Sequence, residues 1–200
     1  MKLEIASSLR SSQRHGGNMQ KEIIIAGFGG QGVLFSGQVV AYAAMDAGKE
    51  VTWIPSYGPE MRGGTANCTV VIADDEIGSP LVKNPPLAVA LNLPSFDKYE
   101  ETLATGGTLI VNQSMVDRAA KRDDINVIMV PCNEIAEEIG NKKLMNMVAV
   151  GALLTVLPEV TVKDVEKALE GHLPKRHAHL LPMNYEALRR GFEAAQKVLA

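Results

Sequence analysis

A buried strand that ends in a glycine-rich turn constrains the fold of this chain more than any other feature. Residues 23–37 read IIIAGFGGQGVLFSG, so a run of isoleucine gives way to glycines and then to small and apolar residues. An apolar run bounded by glycine is typical of a parallel strand that is buried on both faces. Apolar residues at helical spacing over 31–48 predict a helix directly after the turn, and Gly48 is its expected end.

The turn fits the dinucleotide-binding pattern G-x-G-x-x-G, in which backbone amides at a helix N-terminus favour an anion. Its glycines, which are candidate cofactor-binding residues, are Gly27, Gly29, Gly30 and Gly32. The pattern also requires an acidic residue at the end of the second strand, about 20 residues further on, to bind the ribose hydroxyls. The second predicted strand, EVTWIP at 50–55, has its glutamate at the start, and SYG follows it. Two interpretations stay open: a stand-alone Rossmann-type oxidoreductase that binds NAD(P) or FAD, and a tight turn that serves close strand–helix packing.

Strand patterns alternate with helical patterns along most of the chain. Strands are predicted at 22–27, 50–55, 66–74, 87–92, 106–112 and 125–131, and further helices at 95–104, 133–140, 143–157, 161–173 and 182–199. Ser95 and Thr161 are the predicted N-caps of two of these helices. This alternation predicts an α/β fold, a three-layer Rossmann-like domain with a mainly parallel sheet and a helical C-terminal segment. Residues 19–200 are the predicted single domain, and residues 1–18, rich in Ser and Arg, are expected to be a disordered leader or tag.

Composition argues against several classes of partner. Aromatic residues make up 4% of the chain and the net charge is −3, so the chain offers few stacking platforms for bases and no basic run for phosphates. No apolar stretch reaches the roughly 20 residues that a membrane span needs. Cys68 and Cys132 are too few for a zinc or iron–sulfur site, which takes about four ligands. Without a secretory signal, the expected compartment is the cytoplasm.

A second motif lies between two predicted strands and carries a charged pair among glycines. Residues 56–67 read SYGPEMRGGTAN, with Glu60 and Arg62 at the centre. Loops at strand ends are where functional sites are built. Arg62 could present a bidentate fork to a carboxylate or a phosphate. The plainer interpretation is a surface loop with a solvated ion pair, but the neighbouring Tyr, Met and Gly residues favour a contact or interface role.

Three histidines lie in GHLPKRHAHLLP, at positions 172, 177 and 179. A surface cluster or a subunit contact is favoured over a metal site, because no acidic or cysteine ligand accompanies them. Lys175 and Arg176 add positive charge that could attract an anionic partner. No Ser-His-Asp, Cys-His or paired-carboxylate arrangement emerges, and no Walker lysine follows the glycine turn. The sequence therefore predicts no catalytic residue and no metal ligand.

Taken together, the two motifs resemble the gamma subunit of 2-oxoacid:ferredoxin (acceptor) oxidoreductases. The resemblance runs in order from about residue 21 to 199. It is carried by the stretches IIIAGFGGQGVLFSGQVVAYAA, SYGPEMRGGTANCTVVIADDEIGSPLV, ALNLPSFDKYE and NMVAVGALL. The glycine turn followed by Tyr-Gly-Pro-Glu-x-Arg-Gly-Gly is specific as a pair, whereas either motif alone is weak.

The resemblance implies a heteromeric complex that converts a 2-oxoacid and coenzyme A to an acyl-CoA and carbon dioxide while reducing ferredoxin. It implies thiamine diphosphate and magnesium between alpha and beta catalytic subunits, and iron–sulfur clusters in beta or in a ferredoxin-like delta subunit. The chain itself is expected to bind none of these cofactors, and the turn to lack a nicotinamide function. The SYGPEMRGG form resembles the 2-oxoglutarate type first and the 2-oxoisovalerate type second. The residues expected at an interface or near substrate are Tyr57, Glu60, Met61, Arg62, Gly63 and Gly64.

Overall fold

The computed structural model describes residues 19–57 and 65–200. The predicted leader, 1–18, lies outside the described residues, as does the segment 58–64 at the centre of the second motif. The described residues contain six strands, β1 (Gln20–Phe28), β2 (Glu50–Tyr57), β3 (Thr65–Ala73), β4 (Leu87–Ala90), β5 (Thr108–Asn112) and β6 (Asn126–Val130). They also contain the helices α1 (Val33–Asp46), α2 (Leu93–Thr102), α3 (Cys132–Ile139), α4 (Met145–Leu153), α5 (Val162–His172) and α6 (Leu181–Leu199).

The strands form one sheet in the order β2-β3-β1-β4-β5-β6. Strands β1, β4, β5 and β6 are parallel neighbours, whereas β3 lies antiparallel between β1 and β2. The predicted α/β fold with a mainly parallel sheet is confirmed. The prediction that β2 ends at Pro55 is wrong, since β2 continues to Tyr57. Because β2 is an edge strand, the missing proline N–H costs it no ladder hydrogen bond when that side faces outward.

Helices cover both faces of the sheet, and the isoleucine run of β1 contributes to both cores. Ile23 and Ile25 face the larger core, which α1, α3, α4, α5 and α6 complete. Ile24 and Ala26 face the smaller core, which α2 covers. A strand that is buried on both faces has no polar alternation, which is why β1 reads as a continuous apolar run.

Two predicted helix starts have different outcomes. At α5 the Thr161 side chain accepts from the Asp164 amide at 3.2 Å, and Asp164 Oδ2 accepts from the Thr161 amide at 2.9 Å, so the predicted cap is confirmed. At α2 the prediction of Ser95 is wrong, because the N-cap is Asn92, whose Oδ1 accepts from the Ser95 amide at 2.9 Å. The helix can begin before Pro94 because the first turn does not need the N–H that proline lacks.

The helical C-terminal segment is held by a close crossing of α4 and α6. An added Cβ at Gly191 would lie 2.0 Å from the Val148 carbonyl oxygen, and one at Gly151 would lie 2.0 Å from the Leu188 carbonyl oxygen. The two backbones therefore touch through two glycines, and every residue of α4 is buried. In the part of the chain that the structure describes, no helix is both long and apolar enough to cross a membrane.

Candidate functional site

The glycine turn joins the carboxyl end of β1 to α1, as predicted. Gly30 and Gly32 have φ values of 96° and 78°, a left-handed conformation that glycine adopts without strain. Gly32 is also the N-cap of α1. A Cβ at Gly32 would lie 2.4 Å from the Asn146 side-chain nitrogen, so backbone angle and lack of space both favour glycine there.

The Gln31 side chain ties this turn to the end of β4. Its Oε1 accepts from the Phe28 amide at 2.6 Å and from Asn92 Nδ2 at 3.2 Å. Its Nε2 donates to the Leu91 carbonyl oxygen at 3.3 Å. The Phe28 amide, at the end of β1, is thus bound by a side chain of the turn itself, which fixes the shape of the turn.

Three more amide side chains surround this contact. Asn112, fully buried at the end of β5, donates through Nδ2 to the Leu91 carbonyl oxygen at 3.4 Å and to Asn133 Oδ1 at 3.1 Å. Asn146 donates through Nδ2 to the Gly32 carbonyl oxygen at 3.5 Å. These side chains form a group that we call the amide cluster, consisting of Gln31, Asn92, Asn112, Asn133 and Asn146.

Sequence reasoning missed the amide cluster, although a signal for part of it was present. Asn92 and Asn112 each end a buried apolar run, and Asn133 follows a third one closely. The carboxyl ends of parallel strands meet at one edge of a sheet, where α/β proteins bind ligands. A polar residue that ends successive buried strands therefore marks this edge before the fold is known.

The groups around the turn are suited to orientation and contact rather than to proton transfer. The amide cluster carries no charge, and it does not titrate. Burial raises the pKa of the Cys68 thiol to about 11 and also raises the pKa of Cys132, so neither thiol is a ready nucleophile. Lys142, which pairs with Glu137 at 3.0 Å, and Lys143 line a depression beside Gly30 and Gln31.

An apolar cavity of about 350 Å³ lies on the other side of the turn. Its lining includes Phe28, Val33, Leu34, Phe35 and Ala66. Ala66 pairs with Tyr57 of β2, and the preceding residue, Thr65, pairs with Phe28 of β1. The described residues on both sides of segment 58–64 therefore lie at the glycine turn, so the two sequence motifs share one edge of the sheet.

Only part of the second motif lies within the described residues. The backbone of Tyr57 lies at the end of β2, as far as the description reaches. The remaining predicted interface or substrate-proximal residues, which lie outside the described residues, are Glu60, Met61, Arg62, Gly63 and Gly64. Their roles stay predictions.

The sheet order differs from the arrangement that a dinucleotide site needs. In that arrangement the second strand lies parallel beside the first and brings its acidic end close to the turn. Here the antiparallel β3 separates β2 from β1. The stand-alone dinucleotide-binding alternative is therefore disfavoured by strand order as well as by the missing carboxylate.

The three histidines of the C-terminal segment do not combine into a metal site. His172 stacks on Tyr42 with ring centroids 4.0 Å apart, and its Nε2 lies 3.0 Å from Asp46 Oδ2. His177 instead contacts Arg176. Across residues 19–57 and 65–200, no group of three or more His, Cys, Asp or Glu side chains could hold a metal ion.

The sequence matches the family described as pyruvate ferredoxin/flavodoxin oxidoreductase over residues 22–194, and the chain belongs to this family. It is 38% identical to the 2-oxoglutarate synthase subunit KorC of Methanothermobacter marburgensis, over 90% of this chain and 100% of that protein. It is 36% identical to the ketoisovalerate oxidoreductase subunit VorA of the same organism, over 88% of this chain and 36% of that protein. The chain thus spans about a third of the length of VorA.

A solved structure has the same fold. The gamma subunit of a keto/oxoacid ferredoxin oxidoreductase from Geobacter sulfurreducens superposes with a TM-score of 0.78 at 28% identity. The match covers 90% of this chain and 98% of that chain. The prediction that this sequence is of the gamma-subunit type is confirmed.

Proposed function

We propose that the chain serves as the gamma subunit of a thiamine-diphosphate-dependent 2-oxoacid:ferredoxin oxidoreductase. The complex would convert a 2-oxoacid and coenzyme A to an acyl-CoA and carbon dioxide, with reduction of ferredoxin or a similar acceptor. The observation that carries the proposal is the family match over residues 22–194, which includes the glycine turn that the Gln31 side chain closes. A domain with a closed turn and neutral amides fits a supporting subunit better than a self-sufficient enzyme.

The donor groups of this chain do not fit the cofactors of the complex. An iron–sulfur cluster takes about four thiolates, whereas Cys68 and Cys132 lie on β3 and α3 and are buried as free thiols. Thiamine diphosphate needs magnesium, which prefers carboxylate oxygens and water, and the described residues hold no cluster of carboxylates that could bind it. The cofactors therefore belong to the partners in this proposal: alpha and beta catalytic subunits in the cytoplasm and, where the complex has one, a ferredoxin-like delta subunit.

The proposed substrate is 2-oxoglutarate, with 2-oxoisovalerate as the second candidate. Relatives named for each acid have similar identity to this chain, 38% for the 2-oxoglutarate synthase subunit and 36% for the ketoisovalerate oxidoreductase subunit. Overall identity does not separate the two acids, and the SYGPEMRGG motif is the reason for the order. Turnover with each acid is the direct measurement.

Segment 58–64, which connects β2 to β3, is the proposed contact with the catalytic subunits, near the entrance used by coenzyme A or the 2-oxoacid. Its described flanks, Tyr57 and Thr65, lie beside the glycine turn. Arg62 would either pair across the interface or contact an anionic group of a substrate. Its neighbours in this role are Glu60, Met61, Gly63 and Gly64.

Co-expression with candidate alpha and beta subunits from the same genome tests the proposal. We expect the subunits to co-purify and to oxidise 2-oxoglutarate with coenzyme A and viologen, while the isolated chain oxidises no 2-oxoacid. Arg62→Ala should cost the complex about 2–5 kcal/mol in assembly or in kcat/KM, and Arg62→Lys should not restore a bidentate contact. Turnover by the isolated chain would refute the supporting role, and a fully active Arg62→Ala complex would refute the site assignment.

A further inference from the structure

A groove between α1 and α5 shares Phe35 with the cavity at the glycine turn, but none of the glycines of the turn lines it. It encloses a cavity of about 300 Å³, which is near the lower limit for sites that bind small molecules or anchoring side chains. We call it the α1–α5 groove and define it by Phe35, Tyr42, Leu169, His172, Leu173 and Pro174. Its walls are mainly apolar, so it can accept a large apolar side chain.

One wall of the groove is polar and held in place. Gln38 Nε2 donates to the Tyr42 hydroxyl oxygen at 3.1 Å, which leaves the Tyr42 O–H as a donor for a further acceptor. The His172 ring stacks on Tyr42 and lies 3.0 Å from Asp46 Oδ2. The Asp46 carboxylate, behind this wall, is therefore engaged with His172.

A basic segment follows the groove directly. Residues Lys175–Leu180, with the sequence KRHAHL, continue from Pro174. Within the part of the chain that the structure describes, neither Lys175 nor Arg176 forms an ion pair, and Arg176 donates to the His177 ring instead. Glu170, in the preceding helix α5, accepts a hydrogen bond through Oε1 from the Tyr185 hydroxyl at 2.7 Å. This basic segment stands in a chain whose net charge is −3.

We infer that the α1–α5 groove and the basic segment together form a docking site for an acidic protein segment with one large apolar side chain. The apolar side chain would fill the groove, and carboxylates would reach Lys175, Arg176 and the Tyr42 hydroxyl. Charge complementarity supports this occupant. The chain's own residues 1–18 do not fit, because they contain three Lys or Arg residues and one acidic residue. The inference does not depend on the proposed enzymatic function.

Fluorescence anisotropy with the full chain tests this docking site. The probe is a short fluorescein-labelled peptide with a central Phe between glutamates, and its controls are a Phe→Ala peptide and a peptide with lysines in place of the glutamates. We expect the acidic Phe peptide to bind, the Phe→Ala peptide to bind about tenfold more weakly, and the lysine peptide not to bind. Binding of the acidic peptide should weaken as salt increases.

Protein variants locate the binding. Lys175→Glu with Arg176→Glu should weaken binding about tenfold or more. Lys83→Glu with Lys197→Glu makes the same change in net charge at exposed positions, and it should change binding less than about twofold. Lys197 is a suitable control because it lies about 24 Å along α6 from the end of the basic segment. Tyr42→Phe keeps the ring but removes the hydroxyl, and it should weaken binding about threefold.

Four results would overturn the inference. They are no binding of the acidic Phe peptide, equal binding of the Phe and Ala peptides, equal effects of the two double variants, and no effect of Tyr42→Phe. A fifth result that would overturn the inference comes from sedimentation velocity. Self-association of the chain that the Lys175 and Arg176 variant abolishes would make a second copy the occupant instead of an acidic partner.

Discussion

At the residue scale, Gln31 fixes the shape of the glycine turn. Its side chain accepts from the Phe28 amide at the end of β1 and also reaches Asn92 and Leu91. These contacts connect the first βα turn to a strand end 60 residues further along the chain. The turn is thereby fixed in the absence of any ligand.

Gln31→Ala should lower the free energy of unfolding by about 1–3 kcal/mol, because it leaves a partly buried donor and acceptor without partners. Urea denaturation of the isolated chain measures this loss. Gln20→Ala is the matched control, since the exposed Gln20 side chain donates to Glu22 Oε1 in a surface contact whose loss should cost little. Equal stability losses for the two variants would show that Gln31 does not lock the turn.

At the element scale, most helices and strands could be predicted because their patterns are local. A few consecutive residues are enough to indicate each of these elements. Examples are the isoleucine run of β1, the Thr161 capping box of α5 and the apolar surface of α4. The start of α2 could not be placed correctly, because Asn92 and Ser95 are both good caps and only their spacing to Pro94 decides between them. The pairing of β3 with both β1 and β2 could not be predicted, because it depends on which strand edges meet in the folded chain.

The crossing of α4 and α6 depends on glycines that no local pattern singles out. Gly191→Ala should destabilise the chain by about 3 kcal/mol, because the new methyl group would overlap the Val148 carbonyl oxygen. Gly171→Ala in α5 is the control, since nothing lies within 4 Å of its added Cβ. That variant should instead stabilise the chain by up to about 1 kcal/mol through helix propensity. Thermal and urea unfolding of both variants give the comparison, and a neutral Gly191→Ala would mean that the helices can separate at little cost.

At the scale of the whole molecule, the sheet brings sequence-distant polar groups to one edge. Gln31 follows β1, Asn92 follows β4, Asn112 ends β5, and the flanks of segment 58–64 end β2 and begin β3. The position of this edge could be predicted from the strand ends. The contacts within the amide cluster could not, because they depend on strand order and on the packing of α4 against the turn. Among the described residues, the amide cluster gives this edge uncharged groups that are suited to orientation and contact.

The order of the strands gives the last prediction, which separates a supporting subunit from a dinucleotide enzyme. The antiparallel β3 lies where a dinucleotide-binding sheet has its second parallel strand, and the Gln31 side chain fixes the shape of the turn. NAD and NADP should therefore bind the isolated chain with a Kd no tighter than about 1 mM, roughly −4 kcal/mol. Isothermal titration calorimetry measures this, with a nicotinamide-dependent dehydrogenase as the positive control under the same conditions. A micromolar Kd for either nucleotide would mean that the turn accepts a pyrophosphate despite Gln31, and it would restore the stand-alone oxidoreductase as the better interpretation of this fold.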